Sequence, residues 1–247
     1  MSATVSPPKT MIGSARNDPI ERMLEYQAAF RFYLALPDEY VDTLVVFENS
    51  GADLEVFREI AVAANSKKRI HVVNTSTNYP AHMGKGYGEF MMIDEGLSML
   101  LAAGISSNKK IWKVTGRLQI VNIKQLIARA SRDFEIYCDL RNVPLIGDAL
   151  GGNRWMELRV FAFTMAGYDR YLRGNYDLGI GLETYFFDIL HRATKSRNGT
   201  GIIPRFNLQP VIDGFCGYNN KSYLSLEYRV KNFVRATGRL VFPNLWL

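Results

Sequence analysis

The alternation of helical and strand patterns from Asp18 to Val73 predicts an α/β chain with a mainly parallel sheet. Two stretches anchor that reading. Val41 to Phe47, VDTLVVF, is a near-continuous apolar run of the kind found in strands buried on both faces, and it stops at Glu48-Asn49-Ser50-Gly51. Lys109 to Val121, KKIWKVTGRLQIV, sets the β-prone Ile111, Trp112 and Val114 before a polar corner, Thr115-Gly116-Arg117.

Taken in order, residues 1 to 17 form a polar lead with at most one short strand near Thr10 to Ile12. Asp18-Pro19-Ile20-Glu21 is a helix start, and Met23, Tyr26, Phe30 and Leu34 follow at helical spacing up to Pro37. A second helix is expected from about Asp53 to Ala64, and a strand over Arg69 to Val73. Gly84, Gly86 and Gly88 then predict a flexible loop holding Lys85. The helix behind it aligns Phe90, Ile93, Leu97 and Leu100, with Glu89 in its first turn. Glycines, a lysine and a helix N-terminus together make a candidate anion site, although the spacing fits neither GxxxxGK[ST] nor GxGxxG.

Beyond a helix at about Asn122 to Ala130, strands are expected at Phe134 to Leu140 and Arg154 to Met165, and a short helix from Tyr168. Asp177 is the expected cap of a longer helix, which carries Glu183 near its start and an apolar stripe of Leu182, Tyr185, Phe186, Ile189 and Leu190. Gly199 to Gly217 is a glycine- and proline-rich connection. From Leu224 to Arg239 an amphipathic helix sets Leu226, Val230, Phe233 and Thr237 opposite Lys231, Arg235 and Arg239. Two placements of that helix stay open: packed on the domain with a solvated basic face, or lying on an anionic lipid surface.

At 247 residues the chain can bury a sizeable core, and 47% hydrophobic with 22% charged residues is ordinary for a globular protein. A formal charge of +6 points to an anionic partner: a nucleotide, nucleic acid or acidic lipid. Cys138 and Cys216 form no CxxC pair, which disfavours structural zinc and fits a reducing compartment. Neither a signal-peptide core nor eighteen uninterrupted apolar residues occur, so a soluble, cytoplasmic protein is expected. Arg117 at the strand-end corner offers five fixed donors to a phosphate or carboxylate.

Residues 41 to 130 resemble the nucleotide-binding half of the GT-A glycosyltransferases, particularly the inverting family that builds bacterial surface polysaccharides. VVFENSGADLE has the cadence of that family's DDGS-like turn, and Asn78, Gly84, Lys85, Gly88, Glu89 and Gly96 run like its Asn- and Gly-marked loop and helix. Where the family places a metal-binding DxD, this chain has Thr115-Gly116-Arg117. The resemblance implies one GT-A-like domain over residues 1–247, with a Rossmann-related mixed sheet flanked by helices. About 1–130 would bind nucleotide-sugar, and about 131–247 would form a helical acceptor half.

It further implies Glu48, Asn49, Ser50, Lys85, Gly86, Glu89, Lys113, Thr115 and Gly116 as donor-binding residues, and Arg159 and Tyr218 at the acceptor. Arg117 would stabilise the departing diphosphate and Glu183 would be the general base. No cofactor is required on this reading; Mg²⁺ or Mn²⁺ remains an option through Asp139, at the end of FEIYCDL. The partners would be a nucleotide-sugar donor, a glycan or lipid-linked acceptor and an anionic membrane surface on the inner face, with no nucleic acid. The alternative is a non-catalytic basic protein that binds nucleotides or nucleic acid, against which stands the lack of RGG runs, RNP aromatics and zinc pairs.

Overall fold

A computed structural model of the chain describes residues 1–8, 15–75, 81–143, 153–176, 181–196 and 201–242. Strand β1 (Ser2–Ala3) pairs parallel with β2 (Thr43–Glu48), Ser2 lying opposite Phe47. β2 pairs parallel with β3 (Arg69–Asn74), from Thr43 opposite Arg69 to Glu48 opposite Asn74. A second sheet sets β4 (Ile111–Val114) antiparallel to β9 (Val160–Phe163), β9 antiparallel to β6 (Ile136–Tyr137), and β6 parallel to β10 (Ile202–Ile203). A parallel bridge between Ser2 and Thr115, with the Gly116 N–H donating to Ser2 O at 2.9 Å, joins the sheets edge to edge. The resulting order is β3-β2-β1-β4-β9-β6-β10, a mixed α/β arrangement. β1 was not anticipated; the strand expected near Thr10 to Ile12 lies outside the described residues.

Both faces of this sheet are covered, which is why its strands read as apolar runs rather than alternations. Leu44, Val46, Val160 and Ala162 point into a core shared with α1 (Pro19–Leu34), α2 (Glu55–Ala63) and α4 (Ile123–Ala128). Their neighbours Phe47, Phe161 and Phe163 point the other way, onto α3 (Gly84–Ala102), α5 (Met165–Tyr171) and α6 (Leu182–Lys195). Phe90, Phe161 and Phe186 are wholly buried there, each contributing about 1.5–3 kcal/mol by leaving water. Asp18 caps α1 as expected, its carboxylate accepting from the N–H groups of Ile20 and Glu21.

The glycines at 84, 86 and 88 belong to the first turns of α3 and not to a loop. Their role is close packing: a Cβ on Gly86 would stand 2.8 Å from Leu182 Cδ1, and one on Gly96 would stand 2.4 Å from the Phe47 ring. Glu89 accordingly lies beyond the first turn. α6 begins at Leu182 behind Gly181, whose φ of 63° suits glycine; the expected cap Asp177 lies outside the described residues.

Two antiparallel ribbons, β7 (Leu140–Arg141) with β8 (Trp155–Met156) and β5 (Gln119–Ile120) with β11 (Ile212–Asp213), flank the open end of the sheet. Helix α7 (Leu226–Val241) lies over them with its polarity inverted. Arg239 is buried and Tyr228, Asn232 and Arg235 are turned inward, whereas Leu226, Val230, Phe233, Val234, Leu240 and Val241 are exposed. The expected solvated basic face is therefore corrected for Arg235 and Arg239. Asp139 beneath the helix supplies the countercharge for Arg239.

Candidate functional site at the strand ends

The corner after β4 is held closely by its neighbours. Thr115 N–H donates to Arg159 O at 2.9 Å, and a Cβ on Gly116 would lie 2.5 Å from Ser2 O, so the glycine lets β1 pass against it. Arg117 does not present the free guanidinium expected of an anion grip. Its side chain is 9% exposed, Nη1 donates to Phe215 O at 2.9 Å, and Glu25 lies 3.6 Å away. It fastens the turn at Phe215 to α1.

The other candidates along this edge are likewise bound within the protein. Glu48 is fully buried; its Oε1 accepts from Val5 N–H and the Ser50 hydroxyl, and its Oε2 from the N–H groups of Ser50 and Ala52. The Asn49 carbonyl accepts from the Thr4 hydroxyl at 2.7 Å. Glu48, Asn49 and Ser50 thus hold residues 4–6 against the end of β2. Lys113 Nζ donates to Leu158 O at 2.6 Å and to Thr115 Oγ1 at 3.3 Å, and pairs with Glu89 at 2.8 Å. Glu89 also accepts from the Ser2 hydroxyl. Burial raises the Glu89 pKa, but Lys113 and Ser2 outweigh it and hold the carboxylate below its ordinary range.

What remains open lies between β8, β9, α6 and α7. Glu157, buried just after β8, accepts from Arg159 N–H at 3.0 Å, from Arg159 Nε at 2.6 Å and from Arg141 Nη2 at 2.8 Å. Burial opposes its charge, yet the two arginines keep it far below the usual carboxylate range. Arg159 in turn lies 4.7 Å from the centroid of the Tyr223 ring. A small recess of about 30 Å³ opens here, lined by Arg141, Glu157, Arg159, Tyr223, Asn232 and Arg235 among others. At its side, burial would raise the Cys216 thiol, but the N–H groups of Tyr218 and Asn219, the Tyr223 hydroxyl and the Lys85 charge lower its pKa. The Tyr218 side chain itself is 71% exposed.

Glu183 stands at the second position of α6, half-buried. Burial is the main cause of its raised pKa, with Glu157 and Glu89 adding to the rise while its own N–H and Lys85 oppose it. The carboxylates acting on it come from two other elements. Lys85, exposed in the first turn of α3, acts on Glu183, Glu89 and Cys216 alike, which puts all three within its electrostatic reach. Gly86 keeps α3 close to Leu182, the neighbour of Glu183.

Asp139 does not fit a metal. Wholly buried, it accepts at both oxygens from Arg239 Nη2, and Arg141 Nε stands 3.7 Å from one of them. Among the described residues no group of three His, Cys, Asp or Glu side chains is placed to hold an ion. Sequence reasoning passed over Arg141, Tyr223 and Cys216 and placed Arg235 on the solvent side. The only sequence sign of the last was its spacing of four from Arg239 along one helix face.

Neither a protein-family model nor a curated protein sequence matches the chain. No helix among the described residues is long and apolar enough to cross a membrane.

Proposed function

We propose that the protein is a glycosyltransferase of GT-A-like fold that moves a sugar from a nucleotide-sugar donor to a glycan or lipid-linked acceptor. The observation that carries this reading is Glu183: a half-buried carboxylate at the start of α6 whose pKa is raised by burial, within electrostatic reach of Lys85, Glu157 and Glu89. The strand order, with antiparallel β9 inserted beyond β4, supports the fold assignment. In open α/β sheets ligands bind at the carboxyl ends of the strands.

In the reaction proposed, Glu183 takes the proton of an acceptor hydroxyl. The hydroxyl oxygen forms its bond to the anomeric carbon as the bond from that carbon to the diphosphate oxygen breaks, with inversion. Negative charge moves onto the departing diphosphate. Lys85 is an exposed cation within electrostatic reach of Glu183, while Arg117 and Lys113 act indirectly by holding the Phe215 turn and Glu89. Side-chain cations make a metal-independent reaction the simplest version, since Asp139 is engaged by Arg239.

The exposed apolar face of α7 supports an anionic membrane surface as partner, with the cations Lys221, Arg229 and Lys231 beside it and Glu227 the single acid among them. Turnover of a panel of sugar nucleotides by wild type and Glu183→Gln tests the assignment. A loss of about 10²-fold or more with donor affinity unchanged is expected, and near-normal turnover in the variant would reject Glu183 as base.

A further inference from the structure

The recess beneath α7 holds more positive charge than its surroundings balance. Asp139 and Arg239 neutralise one another. Of the guanidinium groups that line the recess, Arg141 and Arg159 pair with Glu157, Arg141 also standing 3.7 Å from Asp139, and Arg235 pairs with neither. Arg235 makes no hydrogen bond or ion pair among the described residues, although it is turned inward under the helix. An unpaired cation in a confined place is costly, because water solvates it poorly and like charges repel it. Here burial, Arg141 and Arg159 together push the Arg235 pKa down to about 10, with Glu157 only partly offsetting them.

Polar groups that suit an anion face the same space. Asn232 and Tyr223 line it, and the Nε of Arg141, fully enclosed, has no hydrogen-bond acceptor. With three cations against one carboxylate, the local excess is about two charges, the charge of a phosphoryl dianion near neutral pH. Arginine forks match phosphoryl oxygens in pairs; the enclosed space is only about 30 Å³, so it takes part of such a group, with the rest standing at its mouth.

We infer that this recess is a binding site for a phosphate or diphosphate group, with Arg235 as the residue that meets it and Arg141 and Arg159 as flanking donors. The inference deepens the transferase reading, on which it rests for the nature of the rest of the ligand: the diphosphate of the donor or the phosphate of a lipid-linked acceptor. The site lies one residue pair away from the proposed base, since Glu157 joins Arg141 and Arg159 to the surroundings of Glu183.

Titration calorimetry with inorganic pyrophosphate on the full chain tests it without turnover. Wild type is expected to bind, and Arg235→Gln to bind at least about tenfold more weakly. Because Arg235 supports nothing else, the variant should melt at the wild-type temperature or above. Asn232→Asp, which adds a carboxylate among the arginines, should likewise raise the melting temperature and abolish pyrophosphate binding. Uridine diphosphate and decyl phosphate, as separate arms, distinguish the donor from a lipid phosphate. No pyrophosphate binding by wild type, or equal binding by both variants, overturns the inference. Loss of melting temperature in Arg235→Gln would do so too, since it marks a structural residue. Failure of the transferase reading shows instead as absence of sugar transfer, and leaves pyrophosphate binding in place.

Discussion

Arg239, near the end of α7, places one guanidinium nitrogen 2.6 and 2.5 Å from the two carboxylate oxygens of Asp139, a hundred residues earlier in the chain. Arg239 also donates to Phe206 O at 3.0 Å, and its own carbonyl accepts from Arg205 at 2.8 Å. The pair is the main polar tie between the inverted helix and the sheet. Asp139→Asn should therefore strand a buried cation and destabilise the protein by about 3–5 kcal/mol. Chemical denaturation measures it, and Asp139→Asn combined with Arg239→Met should recover most of the loss.

Gly116 gives a second expectation. A methyl group there would meet the backbone oxygen of Ser2 at 2.5 Å and the Tyr26 ring at 3.1 Å, and neither neighbour can yield without shifting β1. Gly116→Ala should cost about 1–3 kcal/mol. Gly51→Asn, where nothing lies within 4 Å and φ is 73°, is the contrasting control and should cost far less.

The raised pKa of Glu183 fixes a direction for pH. In the reaction proposed its ionised form is the base, so kcat/KM should climb with pH through a carboxyl titration shifted above the ordinary 4.5. The stability effect has the opposite slope: the folded state holds the proton longer than the unfolded one. Stability is fully present below 4.5 and falls as pH rises through the folded value. Glu183→Gln should abolish both dependences, read by pH–rate profiles and by melting temperature against pH.

The outward face of α7 gives the membrane expectation. Phe233 is 72% exposed and Leu240 84%, so Phe233→Glu with Leu240→Glu should leave folding intact. Co-sedimentation with vesicles containing phosphatidylglycerol should fall at least tenfold in that variant. Wild type that ignores anionic vesicles but dimerises would assign the face to a second copy of the chain.

The sequence made some parts of this structure legible and hid others for physical reasons. β2 could be read because a strand buried on both faces is a near-continuous apolar run, and α1 because Asp18-Pro19 marks its start. The glycines of α3 were misleading because glycine serves close helix packing as well as turns, and only Leu182 and Phe47 in space tell which. Periodicity exposed the two faces of α7 but not which one points inward, since Asp139 and Glu157 come from elsewhere in the chain. Arg117 looked available because its acceptor, Phe215 O, lies ninety-eight residues away. Glu183 was legible by position, whereas its neighbours Glu157 and Glu89 come from other elements.

β1 is two residues long, yet it lies between β2 and the end of β4 and joins the two sheets. Its partners are Phe47 and, more than a hundred residues later, Thr115. During synthesis at roughly 5–20 residues per second, Ser2 and Ala3 wait several seconds or longer before the second partner emerges. The seam of the sheet can close only after that delay, at the entropic cost of a long loop. Until then β1 presents an unpaired edge to other chains, so this stretch is where crowding on the ribosome would first produce misassembly.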